Sequence, residues 1–365
     1  MEKNLFISNF RKLPGAFLIT LALLCCVECT IRYFAPRIMR PESYITIYKS
    51  KHLSLKKSSN FDSIIIGDSR SMAIDAKYLS NKLTKGFGKN FQIYNYAVPG
   101  FGIQGYYLLL RKYIQKNKAP KIIFLSVRPL LLAGHVNIEK RANEDHKHRF
   151  FLFFSIKDYF DVVPFSFFIK TLPLELEKNI FMVAFRKGIR QALRKGVLKD
   201  FNPRVSVALI EKRNGGYIYT SSRANNLSDE LIKKSTYWQE DFYIDQDALY
   251  WYKKLLTLAR EKNIEVVIFN MPLVEDIFSK REQNGSNKRY EQLMEKLHKE
   301  YDNVIIVKPI LEGYKRSYFV DVDHLNESGS AIFCEVLAEK IINWHNKENV
   351  NKLENLKKNQ LYQHP

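Results

Sequence analysis

Cysteine is scarce in this sequence, and its placement excludes a fold held together by disulfide bonds. Only four cysteines occur among the 365 residues, and Cys25, Cys26 and Cys29 all lie near the N-terminus. Because Cys334 is the single cysteine in the body of the chain, no disulfide can form within the folded domain. We interpret the three N-terminal cysteines first as apolar residues of a hydrophobic segment and second as acylation sites.

Several motifs that bind cofactors, metals or nucleic acids are also missing. The sequence has no zinc-finger spacing, no aromatic RNA-binding signature and no glycine-rich phosphate loop that ends in lysine. Glycines at 100, 102 and 105 follow an apolar run, but the acidic partner of a dinucleotide site is absent. His135, His146 and His148 lie in a charged segment, where solvated side chains are more common than a metal site. We therefore expect no cofactor, no metal and no nucleic acid.

The composition is that of a globular protein with a large excess of positive charge. Hydrophobic residues make up 46% and charged residues 26% of the chain, which favours one large domain or one domain with an insertion. The formal net charge is +20. Because no nucleic-acid motif accompanies this charge, we expect it to favour anionic lipid head groups or acidic polymers of a cell envelope.

An apolar run near the N-terminus has about the length that a membrane-spanning helix requires. Lys3, Arg11 and Lys12 precede the run, and its apolar character continues to about residue 34. No small-residue cleavage signal is obvious, which favours an uncleaved anchor over a removed signal peptide. We predict a cytoplasmic stub and a single transmembrane helix over 1–34, a linker over 35–60, and a remainder on the extracytoplasmic side of the cell membrane.

Beyond the linker, short apolar runs alternate with amphipathic segments. The apolar runs have the length and β-branched content of buried parallel strands. They cover 63–66, 91–96, 121–126, 264–270 and 303–307. Helical periodicity occurs at 76–83, 104–115, 247–260, 290–301 and 330–344. This alternation predicts an α/β fold in which one parallel sheet is covered by helices on both faces.

The alternation stops between about 133 and 245, a stretch too long to be a loop without structure of its own. It contains a phenylalanine cluster at 150–168 and a basic amphipathic segment at 181–199. We interpret it as a mainly helical insertion that packs on the sheet domain; a membrane-surface or acceptor-groove role is the alternative. The main domain then spans 61–344, and we expect the polar segment 345–365 to be a frayed helix or a tail.

Two short stretches carry the residue types of a nucleophilic site. The first apolar run stops at Gly67 and is followed by Asp68 and Ser69, so a sharp turn would expose the serine at the carboxyl edge of the sheet. A serine nucleophile needs a base, and the base needs an orienting carboxylate. Asp321-Val322-Asp323-His324 supplies both immediately before the last predicted helix.

Three motifs occur in the order typical of the SGNH (GDSL-like) hydrolase superfamily, and the chain resembles that family. The motifs are Gly67-Asp68-Ser69, Asn95-Tyr96-Ala97-Val98-Pro99-Gly100 and Asp321-x-x-His324. The resemblance covers about 61–130 and 264–344 and implies a three-layer sandwich around a parallel sheet.

The resemblance also implies a role for each matching residue. Ser69 would be the nucleophile, His324 its general base, and Asp321 the carboxylate that orients the histidine. The backbone N–H groups of Ser69 and Gly100 would form the oxyanion hole. Asp323 is nearer His324 in sequence, but the family spacing favours Asp321.

One element departs from the family pattern. Where the resemblance leads us to expect Gly-x-Asn-Asp after the third strand, the sequence has Ser126-Val127-Arg128. The asparagine that donates to the oxyanion in the family is therefore missing. Ser126 or Arg128 replaces it, or the substrate is activated enough to react without it, or the protein has lost hydrolysis. Arg70 and Arg128 are candidate substrate-binding residues, but for Arg70 we favour a structural pair with a local carboxylate.

The predicted anchor, the insertion and Asn270-Met271-Pro272 make the chain similar to a membrane-anchored branch of this superfamily. That branch includes D-alanyl-lipoteichoic acid biosynthesis and alginate O-acetylation proteins. The similarity implies a serine acyltransferase or esterase that modifies a cell-envelope polysaccharide. An envelope glycan or an acyl donor would be its substrate, beside a multi-pass membrane O-acyltransferase. The alternative is a non-catalytic binding or assembly protein of such a modification system.

Overall fold

The computed structural model describes parts of two units of the chain. The described residues are 15–38, 51, 61–99, 102–132, 212–217, 227–233 and 244–361. The first unit comprises 1–46 with 151–206, and the second comprises 47–150 with 207–365. All described residues of the predicted catalytic site belong to the second unit.

In the first unit, the described residues form one helix, α1, at Gly15–Ile38. Among the parts of the chain that the structure describes, no helix is both long enough and apolar enough to cross a membrane. The transmembrane helix predicted within 1–34 is therefore not supported. Glu28 and Arg32 place charged residues in the C-terminal half of α1.

The second unit is built around a five-stranded parallel sheet. Its strands are β1 Ser63–Ile66, β2 Ile93–Asn95, β3 Ile122–Ser126, β4 Glu265–Phe269 and β6 Val304–Ile306. The strand order is β2-β1-β3-β4-β6, and every neighbouring pair is parallel. A smaller parallel pair joins β5 Leu273–Val274 to β7 Gly313–Tyr314. The predicted α/β fold with a parallel sheet is confirmed.

Helices lie between the strands, as parallel neighbours require, because a tight hairpin cannot join parallel strands. They are α2 Ala76–Phe87, α3 Ile103–Lys116, α4 Pro129–Leu132, α5 Asp229–Lys233, α6 Gln246–Glu261, α7 Glu275–Gln283, α8 Ser286–Glu300 and α9 Glu327–Leu361. Helix α9 packs beside α2, and α6 packs beside α3.

Alternation of side chains along the strands gives the sheet two buried faces. On one face, Ile65, Phe124 and Val267 form a core with residues such as Leu79 of α2 and Leu337 of α9. The neighbouring residues along each strand point to the opposite face, where α3 contacts β1 and α6 contacts β4. The three isoleucines of β1 are completely buried. Burial on both faces explains why this strand is a continuous apolar run.

The last helix is longer than predicted, and the predicted insertion is only partly described. Helix α9 continues to Leu361, past the end predicted at Trp344, and no glycine or proline occurs between these residues to stop it. The predicted insertion at about 133–245 is described only at 212–217, at 227–233 and from 244 onward. Its phenylalanine cluster and basic segment lie outside the described residues, so the insertion stays a prediction.

Candidate active site

A tight turn after β1 carries Ser69. Gly67 and Asp68 leave the end of the strand, and a 3-10 helix begins at Ser71, so the serine lies at the carboxyl edge of the sheet. The N–H of Val98, in the loop after β2, donates a hydrogen bond of 3.0 Å to the Gly67 carbonyl. This bond fixes the turn against the neighbouring strand, and Ser69 is left half-buried.

Gly67 has no room for a side chain. A Cβ at this position would lie 2.6 Å from the Cβ of Ser71, closer than non-bonded carbon atoms approach. We expect Gly67→Ala to lower the free energy of unfolding by about 1–3 kcal/mol, the usual cost of overpacking, as measured by denaturant titration. Ser71→Gly alone is the control. The double variant should recover much of the loss relative to that control, and no recovery would contradict the clash.

The histidine lies on a loop closed by its own backbone. Phe319 and Leu325 form an antiparallel bridge, and the Val320 N–H donates to the His324 carbonyl at 2.8 Å. Inside this loop, Asp321 Oδ1 accepts the N–H groups of both Asp323 and His324 at 2.8 Å. A short polar side chain that accepts N–H groups two and three residues ahead is a common way to shape a turn.

Ser69, His324 and Asp321 form a continuous hydrogen-bonded row. His324 Nε2 lies 2.9 Å from Ser69 Oγ. His324 Nδ1 lies 2.9 Å and 3.0 Å from the two carboxylate oxygens of Asp321. Because a carboxylate can only accept, Nδ1 carries the proton in this arrangement and Nε2 accepts from the serine hydroxyl. The row is therefore arranged for proton transfer from Ser69 to His324.

The charge on Asp321 is stabilised by its neighbours. Partial desolvation acts to raise the pKa of this carboxyl, but the hydrogen bond and the charge of His324 oppose it. The backbone N–H groups of Asp323 and His324 add to this opposition, and the net result is a lowered pKa. Asp321 is therefore ionised at neutral pH, as a carboxylate that orients a catalytic histidine must be.

Arg70 is placed where a substrate does not reach it. Its side chain is 2% exposed, and its Nη2 donates to the carbonyls of Met271 and Pro272 at 2.7 Å and 2.9 Å. Burial and these two bonds make Arg70 a structural residue that holds the loop after β4. This geometry favours the structural interpretation of Arg70 over substrate binding, because its guanidinium is buried and donates to backbone carbonyls.

Arg128 lies between the segments that carry Ser69 and His324. Its Nε is 3.1 Å from Asp68 Oδ2, and its Nη1 is 3.7 Å from Asp323 Oδ2. The Arg128 side chain is 15% exposed, so it is more accessible than Arg70. Neither Asp68 nor Asp323 had a predicted role in the site. Their only signal was that each directly precedes a predicted catalytic residue.

The side chain of Asn95 links the end of β2 to the segment after Ser69 through hydrogen bonds. Its side-chain amide donates to the carbonyls of Ser71 and Ile74 at 2.8 Å and 2.9 Å, and its Oδ1 accepts the Ala97 N–H at 3.0 Å. Asn95 is completely buried. A polar residue at the end of an apolar strand is the sequence signal of such a connection.

Comparison with models of protein families identifies the family of this chain. The model of a family described as "Protein of unknown function (DUF1574)" matches residues 46–336, about four fifths of the chain. The chain belongs to this family. No curated protein matches the sequence. The DUF1574 region contains Ser69, Asp321 and His324, together with all strands of both sheets.

The second predicted oxyanion donor is the backbone N–H of Gly100. This residue lies outside the described residues, so its role stays a prediction. The strand end that departs from the SGNH pattern is described, and Ser126 is buried there as the last residue of β3. The next carbonyl, that of Val127, accepts the hydroxyl of Tyr290 at 2.5 Å.

The described part of the DUF1574 chain contains no group of three or more histidine, cysteine, aspartate or glutamate residues that could hold a metal ion. His135, His146 and His148 lie outside that part.

Proposed function

We propose that this DUF1574 protein is an SGNH-type serine acyltransferase or esterase that acts on acyl esters of a cell-envelope glycan. The observation that carries the proposal is a row of two contacts, in which His324 Nε2 lies 2.9 Å from Ser69 Oγ and His324 Nδ1 lies 2.9 Å from Asp321 Oδ2. These three groups come from two segments 255 residues apart, and a helix-capping serine would need neither partner.

The fold supports the same proposal. A nucleophile after β1 and an Asp-x-x-His segment before the last packed helix are the placements that the SGNH resemblance implies. The parallel order β2-β1-β3-β4-β6 puts the ends of β1 and β3 side by side at the edge where ligands of open α/β sheets bind. We infer an SGNH-like three-layer sandwich for this region.

The reaction follows from the order of the three side chains. Ser69 Oγ attacks the acyl carbonyl carbon while His324 Nε2 takes the hydroxyl proton, which gives a tetrahedral oxyanion. Collapse breaks the bond to the leaving alcohol, His324 returns the proton to that alcohol oxygen, and the acyl group remains on Ser69. Water or a sugar hydroxyl then gives its proton to His324 and removes the acyl group by the reverse steps.

The oxyanion requires donors that are already in place. The backbone N–H groups of Ser69 and Gly100 are our candidates, as the SGNH resemblance implies. Arg128 is the described cationic side chain nearest the missing asparagine in sequence, and it lies beside the residues preceding both Ser69 and His324. We include it as a candidate donor or substrate contact.

Substrate, location and partner stay predictions. The net charge of +20 favours acidic partners, which agrees with an anionic envelope polymer. An extracytoplasmic location at the cell membrane was predicted from the apolar N-terminal run and its basic flank, and a multi-pass membrane O-acyltransferase as partner follows from the resemblance alone. Ester content of the envelope glycan, compared by mass spectrometry between a deletion strain and its complemented form, would identify the polymer and the acyl group.

A fluorophosphonate probe tests the nucleophile directly. The wild-type protein should be labelled at Ser69, and Ser69→Ala should abolish the labelling. Ser279→Ala removes an exposed serine of α7 and is the matched control, which should label like the wild type. Equal labelling of the wild type and Ser69→Ala would overturn the proposal.

A non-catalytic binding or assembly role is the second candidate. The observation that favours it is the strand end Ser126-Val127-Arg128, which lacks the asparagine donor of the SGNH pattern. Loss of one such donor costs about a hundredfold to a thousandfold in rate. If Ser69→Ala and His324→Ala both restored full glycan acylation to a deletion strain, the non-catalytic role would be supported and catalysis would not.

A further inference from the structure

Each described catalytic segment carries a buried or half-buried aspartate next to its reactive residue. Asp68 directly precedes Ser69, and Asp323 directly precedes His324. Their side chains are only 6% and 18% exposed. Neither carboxylate belongs to the Ser-His-Asp row, so its burial beside that row requires another explanation.

Arg128 connects these two carboxylates. Its guanidinium lies 3.1 Å from Asp68 and 3.7 Å from Asp323, so one side chain from the end of β3 bridges the nucleophile turn and the histidine loop. The three segments are far apart in sequence, which means that no local turn geometry brings them together. The bridge exists only in the folded sheet.

Arg70 extends the same set of contacts. Its Nε lies 3.9 Å from Asp323 Oδ1, and its backbone N–H donates to Asp68 Oδ1 at 3.0 Å. The Arg70 Nη2 donates hydrogen bonds to the carbonyls of Met271 and Pro272 after β4. We call Asp68, Arg70, Arg128 and Asp323 the charge clamp; it joins the ends of β1, β3 and β4 to the histidine loop.

Because these contacts are buried, removing one partner should have a larger effect than removing one partner of a surface ion pair. Exposed pairs contribute little because water screens them, whereas removal of one partner from a buried pair leaves a charge without compensation. The clamp balances two arginines with two aspartates. Each carboxylate contacts both arginines, directly or through a backbone N–H, so a change in one residue alters the position of both catalytic segments.

We propose that the charge clamp positions Ser69 and His324 relative to each other, with Arg128 as its central positioning residue. This inference rests on the proposed function for its catalytic consequence, but the geometry of the clamp is independent of the substrate. A displacement of about 1 Å at a reacting group can cost about a hundredfold in rate. Positioning of this kind is expected to change the rate of the chemical step, whereas direct contact between Arg128 and the substrate would also change the affinity.

The kinetic test follows the rate at which a fluorophosphonate labels Ser69. Arg128→Gln and Asp323→Asn should each lower the maximal labelling rate by about tenfold to a hundredfold, with little change in the half-saturating probe concentration. Arg128→Lys keeps the charge and should recover part of the rate. The double variant should lose less rate than the product of the two single losses, because both changes break the contact between Arg128 and Asp323.

Lys308→Gln is the matched control. It removes one cation from an exposed pair with Glu295, so labelling should stay within about twofold of the wild type. Thermal unfolding of every variant shows whether a rate change comes from loss of folded protein. Single-variant rates within twofold of the wild type would overturn the proposal, and so would losses in Arg128→Gln and Asp323→Asn that simply multiply in the double variant.

Amide hydrogen exchange separates the clamp from the proposed function. The Val320 N–H is bonded to the His324 carbonyl, so it reports closure of the histidine loop. In Arg128→Gln we expect this amide to exchange about tenfold faster, while amides of β4 are unchanged. Faster exchange in a protein whose wild type does not label would support the clamp and overturn the proposed function. Unchanged exchange would overturn the clamp even if the wild type labels.

Discussion

Replacing His324 with alanine is expected to slow both probe labelling and ester turnover by about a millionfold, the loss seen when a triad histidine is removed from a serine hydrolase. His324 Nε2 is the described base within hydrogen-bonding distance of Ser69 Oγ, at 2.9 Å. Without it, the hydroxyl proton has no acceptor in the described site, and neutral serine is a weak nucleophile.

A histidine far from this site provides the control. The ring of His345 lies 4.4 Å from that of Phe87, in a contact between α9 and α2. His345→Ala should leave the labelling rate within about twofold of the wild type once differences in folded fraction are corrected. If His324→Ala and His345→Ala lost the same fraction of the rate, the assignment of His324 as the base would be wrong.

Asp321→Asn should lower the rate of the same reactions by about ten thousandfold. An asparagine amide can donate to Nδ1, which a carboxylate cannot. Donation to Nδ1 favours the tautomer in which Nε2 carries the proton, and that nitrogen then cannot accept from Ser69. The exposed Asp302 provides a matched Asp→Asn control, for which we expect a change of less than about twofold.

The stability of the wild-type protein and that of Asp321→Asn should also depend differently on pH. The pKa of Asp321 is lowered in the folded protein, so ionised Asp321 stabilises the fold above the unfolded pKa of about 3.9. That contribution is lost as the pH falls through the lower folded pKa. The difference in unfolding midpoint between wild type and Asp321→Asn should therefore shrink below about pH 4. A difference that stays constant down to pH 2 would contradict the lowered pKa.

The strands were predictable because burial on both faces demands a simple pattern. Strand β1 begins and ends at the predicted residues, Ser63 and Ile66. The other predicted runs extend one or two residues beyond the observed strands at one or both ends, because the residue pattern does not fix where the pairing between strands stops. The short strands β5 and β7 pair only two residues each, which is too short for periodicity to indicate a strand.

Short sequence motifs predicted the Ser69, Asp321 and His324 part of the site but not the contacts of the arginines around it. Asp321-x-x-His324 sets a local spacing, and its geometry follows from a turn that Asp321 itself shapes. The burial of Arg70 and the contacts of Arg128 depend on neighbours brought together by the sheet. A sequence pattern shows that an arginine follows a serine, but it does not show which carbonyls or carboxylates lie within its reach.

The distance along the chain between Ser69 and His324 has a consequence for the time at which the site comes into being. A ribosome adds about 5–20 residues per second, so the 255 residues between them take roughly 10–50 s to synthesise. During that interval the β1 turn lacks its base. The Ser69–His324 contact can form only after the loop at 319–326 has been made. The β1 turn of a nascent chain therefore has no partner histidine until residue 324 has been synthesised.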